Sequence, residues 1–194
     1  MHLLHIDSSI TGEQSVSRQL TARIVEGLRT ESPAATLTYR DLAKNPLPHH
    51  LLSHQAERDQ VASAASLQEF LDADIVVIGA PMYNFAIPSQ LKAWIDSFLV
   101  AGKTFRYTEN GPQGLLGPKR VIIASARGGV YSDGSMASHD HQETYLRDVF
   151  GFIGISDVEF VRAEGVGMGP DVRRHAIETA LRQADALSSS AVAA

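Results

Sequence analysis

Three short segments hold the groups with which this chain could bind and use a ligand. Ser9 and the run Ser15-Val16-Ser17 offer hydroxyls and, where a helix begins, backbone amides. A helix start of this kind favours an anion. The one basic residue close by is Arg18, so a phosphate seated here would be held by hydroxyls and amides rather than by a group of cations. Met82-Tyr83-Asn84-Phe85 lies between Pro81 and Pro88, in a stretch free of charge from Gly79 to Leu91. The prolines stiffen it, the side chains are thioether, aromatic and carboxamide, and Asn84 can both donate and accept. That set suits a flat, mostly apolar ring with a few polar edge atoms. Ala126-Arg127-Gly128-Gly129 adds a cation and two glycines, whose backbone can approach a ring where a Cβ would clash. Each segment alone also has a plain structural reading: a serine-rich turn with an N-cap, an aromatic cover over a sheet end, and a Gly-Gly turn with a solvated arginine.

The elements that must position these segments alternate between strand and helix. Ile75 to Gly79 is a continuous apolar run, mostly β-branched, as in a parallel strand covered on both faces, and the Met82–Phe85 loop follows it. Leu3 to Ile6 opens as a strand ahead of the serine loop, and Leu20, Ile24, Val25 and Leu28 then fall at helical spacing. Thr36 to Leu42 alternates and reads as a strand near a sheet edge. A helix is expected from about Ser53 to Leu71, and another with Ser89 as its N-cap, burying Leu91, Trp94, Ile95, Phe98 and Leu99. Gly102 to Pro118 reads as a long connection of the kind that closes over a site or reaches a partner. Val121 to Ser125 forms the fourth strand, ahead of the Arg127 segment. A helix over 143–153, a strand over 158–162 and a helix over 170–186 complete the pattern. Five such units predict an α/β fold: a three-layer, doubly wound sandwich around a parallel sheet of order 2-1-3-4-5, in one domain spanning 1–194. Such a sheet binds ligands at the carboxyl ends of its strands, near the switch point between strands 1 and 3. The loops after strands 1, 3 and 4 are the three segments above.

Composition narrows the chemistry. The 194 residues carry a net charge of −5 with no concentrated Lys/Arg face, which argues against nucleic-acid binding. Apolar runs are of strand length, well short of the roughly 20 residues that span a bilayer. No signal-peptide pattern opens the chain, and the expected location is cytoplasmic. With no cysteine, disulfides and thiolate chemistry are excluded, and any redox activity needs a cofactor. Eight histidines include His49, His50 and His54, and His139 and His141, but no H-E-x-x-H pattern, so they read as surface residues and no metal is expected. There is no G-x-S-x-G elbow, no P-loop and no G-x-G-x-x-G fingerprint. Asp7 stands where a receiver domain has its phospho-acceptor, yet strand 3 ends in Gly-Ala-Pro, without the expected aspartate.

The mixture of apolar faces and amide edges is what an isoalloxazine ring requires, and a cation near its N1–O2 side stabilises the anionic reduced form. Ser8-Ser9, Ser15-Val16-Ser17-Arg18, the block from Gly79 to Asp96, Thr104 to Pro112, Ala126-Arg-Gly-Gly and Gly151-Phe-Ile-Gly-Ile together resemble the FMN-dependent NADH-azoreductases, or NADH:quinone reductases. The similarity covers nearly the whole chain. It implies a flavodoxin-like homodimer with FMN near the subunit interface, and a ping-pong cycle. NADH reduces the flavin, and a quinone or aromatic azo compound then takes the electrons. By that resemblance Ser9, Ser15, Val16 and Ser17 bind the phosphate. Met82, Tyr83, Asn84 and Phe85 hold the ring with Ala126, Arg127, Gly128 and Gly129, and no catalytic acid or base is named. The family commonly has serine where this chain has Ala126, which removes a side-chain hydrogen bond there. The segment before strand 3 is shorter than in longer members, implying a more open rim. Phe105, Tyr107 and Tyr131 are the candidates for substrate contact. The rival expectation is a flavodoxin-type electron carrier without enzymatic activity.

Overall fold

β-branched residues fill a strand completely only when helices cover both of its faces. In the computed structural model, which describes residues 1–49 and 57–190, the chain runs His2–Asp7 (β1), Val16–Glu31 (α1), Thr36–Asp41 (β2), Glu57–Asp72 (α2), Ile75–Pro81 (β3), Ser89–Phe98 (α3), Phe105–Thr108 (β4), Gly111–Gly114 (β5), Arg120–Arg127 (β6), Glu143–Phe152 (α4), Val158–Glu164 (β7) and Pro170–Ser190 (α5). All seven residues of β3 are buried. It is the centre of a five-stranded parallel sheet of order β2-β1-β3-β6-β7. Counting only this sheet's strands, that is 2-1-3-4-5. The numbering differs because the connection expected over 102–118 contains the separate antiparallel hairpin β4–β5.

Alternate residues of the sheet serve two cores. Leu4, Ile6, Val76, Ile78 and Ile123 pack with Phe70, Trp94, Phe98 and Phe150 from α2, α3 and α4. Leu3, Val77, Ile122 and Ala124 pack with Leu20, Ile24, Ala180 and Ala184 from α1 and α5. The sheet therefore has α2, α3 and α4 on one face and α1 and α5 on the other. β2 is an edge strand with most of its residues exposed or half-buried, as its alternation suggested. Pro88, not Ser89, is the N-cap of α3. Ser89 is the first helical residue and makes no capping bond, because Pro88 in an extended conformation already sets the chain's entry. The start expected for α2 at Ser53 lies outside the described residues, as do His50, His54 and part of the segment before β3 expected to be short. Among the described residues no helix is long and apolar enough to cross a membrane.

The hairpin sits at the amino edge of the sheet, against the end of α4. Leu116 N donates to the Ile153 carbonyl at 3.0 Å. A Cβ on Gly114 would fall 2.2 Å from the Gly154 nitrogen, so only glycine allows this approach. Its turn is Glu109-Asn110, and Gly111, which pairs with Thr108 as the first residue of β5, has φ +104°.

Candidate active site

The carboxyl ends of β1, β3, β6 and β7 align, with Asp7 opposite Gly79, Pro81 opposite Ala126 and Arg127 opposite Glu164. Over them opens a cleft of about 550 Å³. One wall is the loop after β1, contributing Ser9, Ser15 and Val16. Ser15 caps α1, its Oγ accepting from Arg18 N at 3.3 Å. The amides of Val16 and Ser17 lie in the first turn and have no intrahelical acceptor. Ser17 is fully buried, bonded to Ser15 Oγ at 3.1 Å, and its hydroxyl does not line the cleft. Its side chain therefore orients Ser15. Arg18 faces away from the cleft's anion position: its guanidinium forks onto Asp41 at 2.8 and 2.9 Å and donates to the Ser9 carbonyl at 2.8 Å. The hydrogen bond from Arg18, against the effect of burial, holds the Asp41 carboxyl below its usual range. Beneath this, Asp7 accepts from Thr21 at 2.9 Å and fills the space above Gly79, where a Cβ would lie 2.7 Å from Asp7 Oδ1.

The second wall is the end of β3 and its loop. Tyr83 N donates to the Ala86 carbonyl at 2.9 Å and Ala86 N returns a bond at 3.1 Å, closing a two-residue turn with Asn84 and Phe85 at its tip. Both have positive φ, +49° and +71°, the only described non-glycine residues that do. This is the pattern of a type I′ turn. Asparagine tolerates the left-handed region, but Phe85 carries strain there, the kind that gathers at functional sites. Phe85→Gly is accordingly expected to unfold at higher denaturant than Phe85→Ala, by about 1 kcal/mol, since both lose the ring and only alanine keeps a Cβ at positive φ. Equal midpoints in urea titrations would show that the turn is unstrained. Tyr83 links the walls: its hydroxyl bonds Ser9 Oγ and the Ile10 amide, each at 3.2 Å. Among the described residues nothing bonds the Asn84 carboxamide.

The third wall corrects an expectation. β6 continues to Arg127, two residues past the expected end, and the Arg127 side chain is fully buried instead of facing a ring. It contacts Glu143 at 2.5 Å and Asp140 and Glu164 at 3.0 Å each, and its Nε donates to Ser125 Oγ at 2.9 Å. Arg162 forks onto Glu143 from outside at 2.6 and 2.7 Å. Glu164 also accepts from the Tyr131 and Ser132 amides at 2.8 and 3.0 Å. Burial pushes the Glu164 carboxyl up, but the bonds from Ser132, Tyr131 and Arg127 outweigh it and hold the group below its ordinary range. Ala126 and Gly128 line the cleft. The carbonyls of Arg127, Gly128 and Gly129 accept from the Val166, Gly167 and Gly165 amides at 2.9 to 3.0 Å, which straps this loop to the one after β7. Met82 N donates to the Ala126 carbonyl at 2.8 Å and joins the second wall to the third.

The comparisons with known proteins decide what this frame is. The family profile described as "Flavodoxin-like fold" matches residues 1–187. The chain is 56% identical to "FMN-dependent NADH:quinone oxidoreductase 2" of Bradyrhizobium diazoefficiens, over 98% of this chain and all of that one. It is 55% identical to the FMN-dependent NADH:quinone oxidoreductase of Rhizobium meliloti, over 93% of each. This chain belongs to the FMN-dependent NADH:quinone oxidoreductase family. Among solved structures, an azoreductase from Bacillus anthracis superposes with a TM-score of 0.88 at 32% identity, covering 98% of this chain and 99% of that one. An FMN-dependent NADH-azoreductase from the same species, solved in complex with FMN, gives 0.87 at 26% identity over 97% and 98%.

Within this flavodoxin-like oxidoreductase, the residues anticipated from sequence divide by position. Ser9, Ser15, Val16, Met82, Tyr83, Ala126 and Gly128 share the cleft. Tyr131 lies on the rim, its ring 6.1 Å from Phe85, and His139 flanks Phe85 at 5.5 Å. Phe105 and Tyr107 do not join them. They stand on β4 at the opposite edge of the sheet, Phe105 against Phe152 at 4.7 Å and Tyr107 74% exposed. A substrate in this chain's own cleft is therefore out of their reach. Sequence reading missed Gln14, Val166 and Arg173, which also line the cleft. The signal was available in the glycine-rich run Gly165-Val-Gly-Met-Gly-Pro170 ahead of α5.

Proposed function

We propose that this chain passes a hydride from NADH, by way of FMN, to quinones and aromatic azo compounds in a ping-pong cycle. What carries the reading is one cleft with two unlike ends. The start of α1 presents hydroxyls and first-turn amides to an anion, and the Tyr83–Ala86 turn with Gly128 presents a flat, uncharged slot. A Cβ at Gly128 would meet nothing within 4 Å, so the backbone there leaves open space of the kind a ring fills. The residues fit the group. When bound, FMN supplies the redox chemistry, accepting a hydride at its N5 and giving it up again.

The chain's own part is positioning. Ser9, Ser15 and the amides of Val16 and Ser17 hold the phosphate, with Ser17 setting the Ser15 hydroxyl. Met82, Tyr83, Asn84 and Phe85 lie along one side of the ring, with Asn84 free to bond its polar edge. Ala126, Gly128 and Gly129 form the other side as backbone. Arg127 supports this wall from within and lends no charge to the ring. Phe85 and Tyr131 flank the place where donor and acceptor stack in turn, and they keep water from it. The chain works as one domain over 1–194 and as a homodimer. An exposed apolar patch formed by Tyr107, Leu115 and Phe152 on and beside the hairpin supports this, and Tyr107 can contact substrate only in a second copy's cleft. The cytoplasm, where NADH is supplied, is the compartment this reading requires.

The test is direct. Protein loaded with FMN is mixed anaerobically with one equivalent of NADH, then with benzoquinone or an azo dye. Bleaching of the flavin band by NADH alone, and its return with acceptor, is the expected result. A flavin band that NADH leaves unchanged defeats the proposal and favours a carrier.

A further inference from the structure

Arg173 is the only charged residue lining the cleft among the described residues. It sits in the first turn of α5 and reaches toward the start of α1. Its Nη2 donates to the Gln14 carbonyl at 3.5 Å and its Nη1 to the Val166 carbonyl at 3.4 Å, both at the long limit of a hydrogen bond. Those are its only partners among the described residues, and neither is a carboxylate. The other arginines near the site are committed to acids: Arg18 to Asp41, Arg127 to Asp140, Glu143 and Glu164, and Arg174 to Asp171. One guanidinium with spare donors thus faces an otherwise uncharged cleft, beside the residue that precedes the α1 N-cap.

We infer that Arg173 is the charge partner of the cofactor's phosphate, closing from α5 onto an anion seated at the first turn of α1. This rests on the FMN reading. A dianion held only by hydroxyls and amides would have no compensating charge in the cleft. Arg18, the one cation the local sequence offers, is turned onto Asp41. Arg173 supplies the charge from the far end of the chain. Its bond to Gln14, next to Ser15, brings it to the phosphate end, while its other bond runs to Val166 on the loop strapped to Arg127, Gly128 and Gly129. The two weak carbonyl contacts cost little to exchange for a charge-assisted, bidentate pair.

The test separates phosphate from ring. Flavin-stripped full-length protein is titrated with FMN and with riboflavin, which has the ring and no phosphate, following the quenching of flavin fluorescence. Arg173→Gln is expected to weaken FMN about ten- to hundredfold, the range for losing a hydrogen bond to a charged group, and to leave riboflavin within about twofold. Arg173→Lys should recover part of the FMN affinity. In wild type the FMN affinity should fall with added salt, and in Arg173→Gln that dependence should flatten. Unchanged FMN binding in Arg173→Gln overturns the assignment, including the case in which only the KM for NADH rises. An equal loss for both flavins also overturns it, by showing a structural role. Wild-type protein that takes up neither flavin defeats the FMN reading itself, an outcome distinct from these.

Discussion

Arg127→Met should destabilise the protein by about 3 to 5 kcal/mol, the effect of removing one partner from a buried ion cluster. The side chain is fully buried and touches Asp140, Glu143 and Glu164 within 3.0 Å. Methionine fills much of the volume but leaves three acids with only Arg162 and Arg147 to balance them, both bound through Glu143. The sign of the pH dependence follows from Glu164. In wild type its carboxyl is held below the ordinary range, so its contribution is complete above that range and fades as pH falls through the lowered value. Without Arg127, one of the bonds that offset burial is lost, the folded-state value rises, and the deficit of the variant narrows as pH is lowered from 7 into the ordinary carboxylate range. Urea titrations of both proteins across that interval measure it. A deficit below about 1 kcal/mol, or one independent of pH, would mean that the acids are satisfied without Arg127. Arg127→Lys should fall between the two, since an ammonium cannot fork to several carboxylates at once.

The second large effect is on the cofactor. Gly128→Val is expected to reduce FMN affinity by at least about a hundredfold, as a new side chain takes the ring's space. The flavin-free protein should unfold within about 0.5 kcal/mol of wild type. Gly128 does not need a positive φ, a Cβ there meets no atom within 4 Å, and its carbonyl keeps its bond from Gly167 N. Flavin content after purification and the rise in melting temperature on adding FMN are the readouts, because a ligand that binds only the native state raises it in proportion to occupancy. Wild-type FMN uptake by Gly128→Val would place the ring elsewhere.

Strands and helices were legible where periodicity was strong. The apolar run of β3 and the stripe Leu20, Ile24, Val25 and Leu28 on α1 depend only on which faces are covered. Long-range pairing was not legible. Ala126-Arg127 reads as the start of a loop, and the pairing of Ala126 with Pro81 and Ala163 and of Arg127 with Glu164 keeps it in the sheet. The hairpin was signalled by Asn110-Gly111 but diluted by a connection rich in glycine and proline. The left-handed pair at Asn84 and Phe85 was hidden because phenylalanine is not a turn former. Arg173 was invisible to any local reading, since the chain folds it back beside Gln14 from its last helix.

The reciprocal bonds between Tyr83 and Ala86 fix more than a conformation. A turn of two residues closed at both ends has no slack, and one inserted residue would change the turn type and swing the following side chain to the other face. The cleft wall is therefore locked in length, whereas the rim around Val130 and Tyr131 is loop and is not. Diversification of acceptors in relatives of this chain should accumulate as insertions and substitutions in that rim, leaving the spacing from Pro81 to Pro88 untouched.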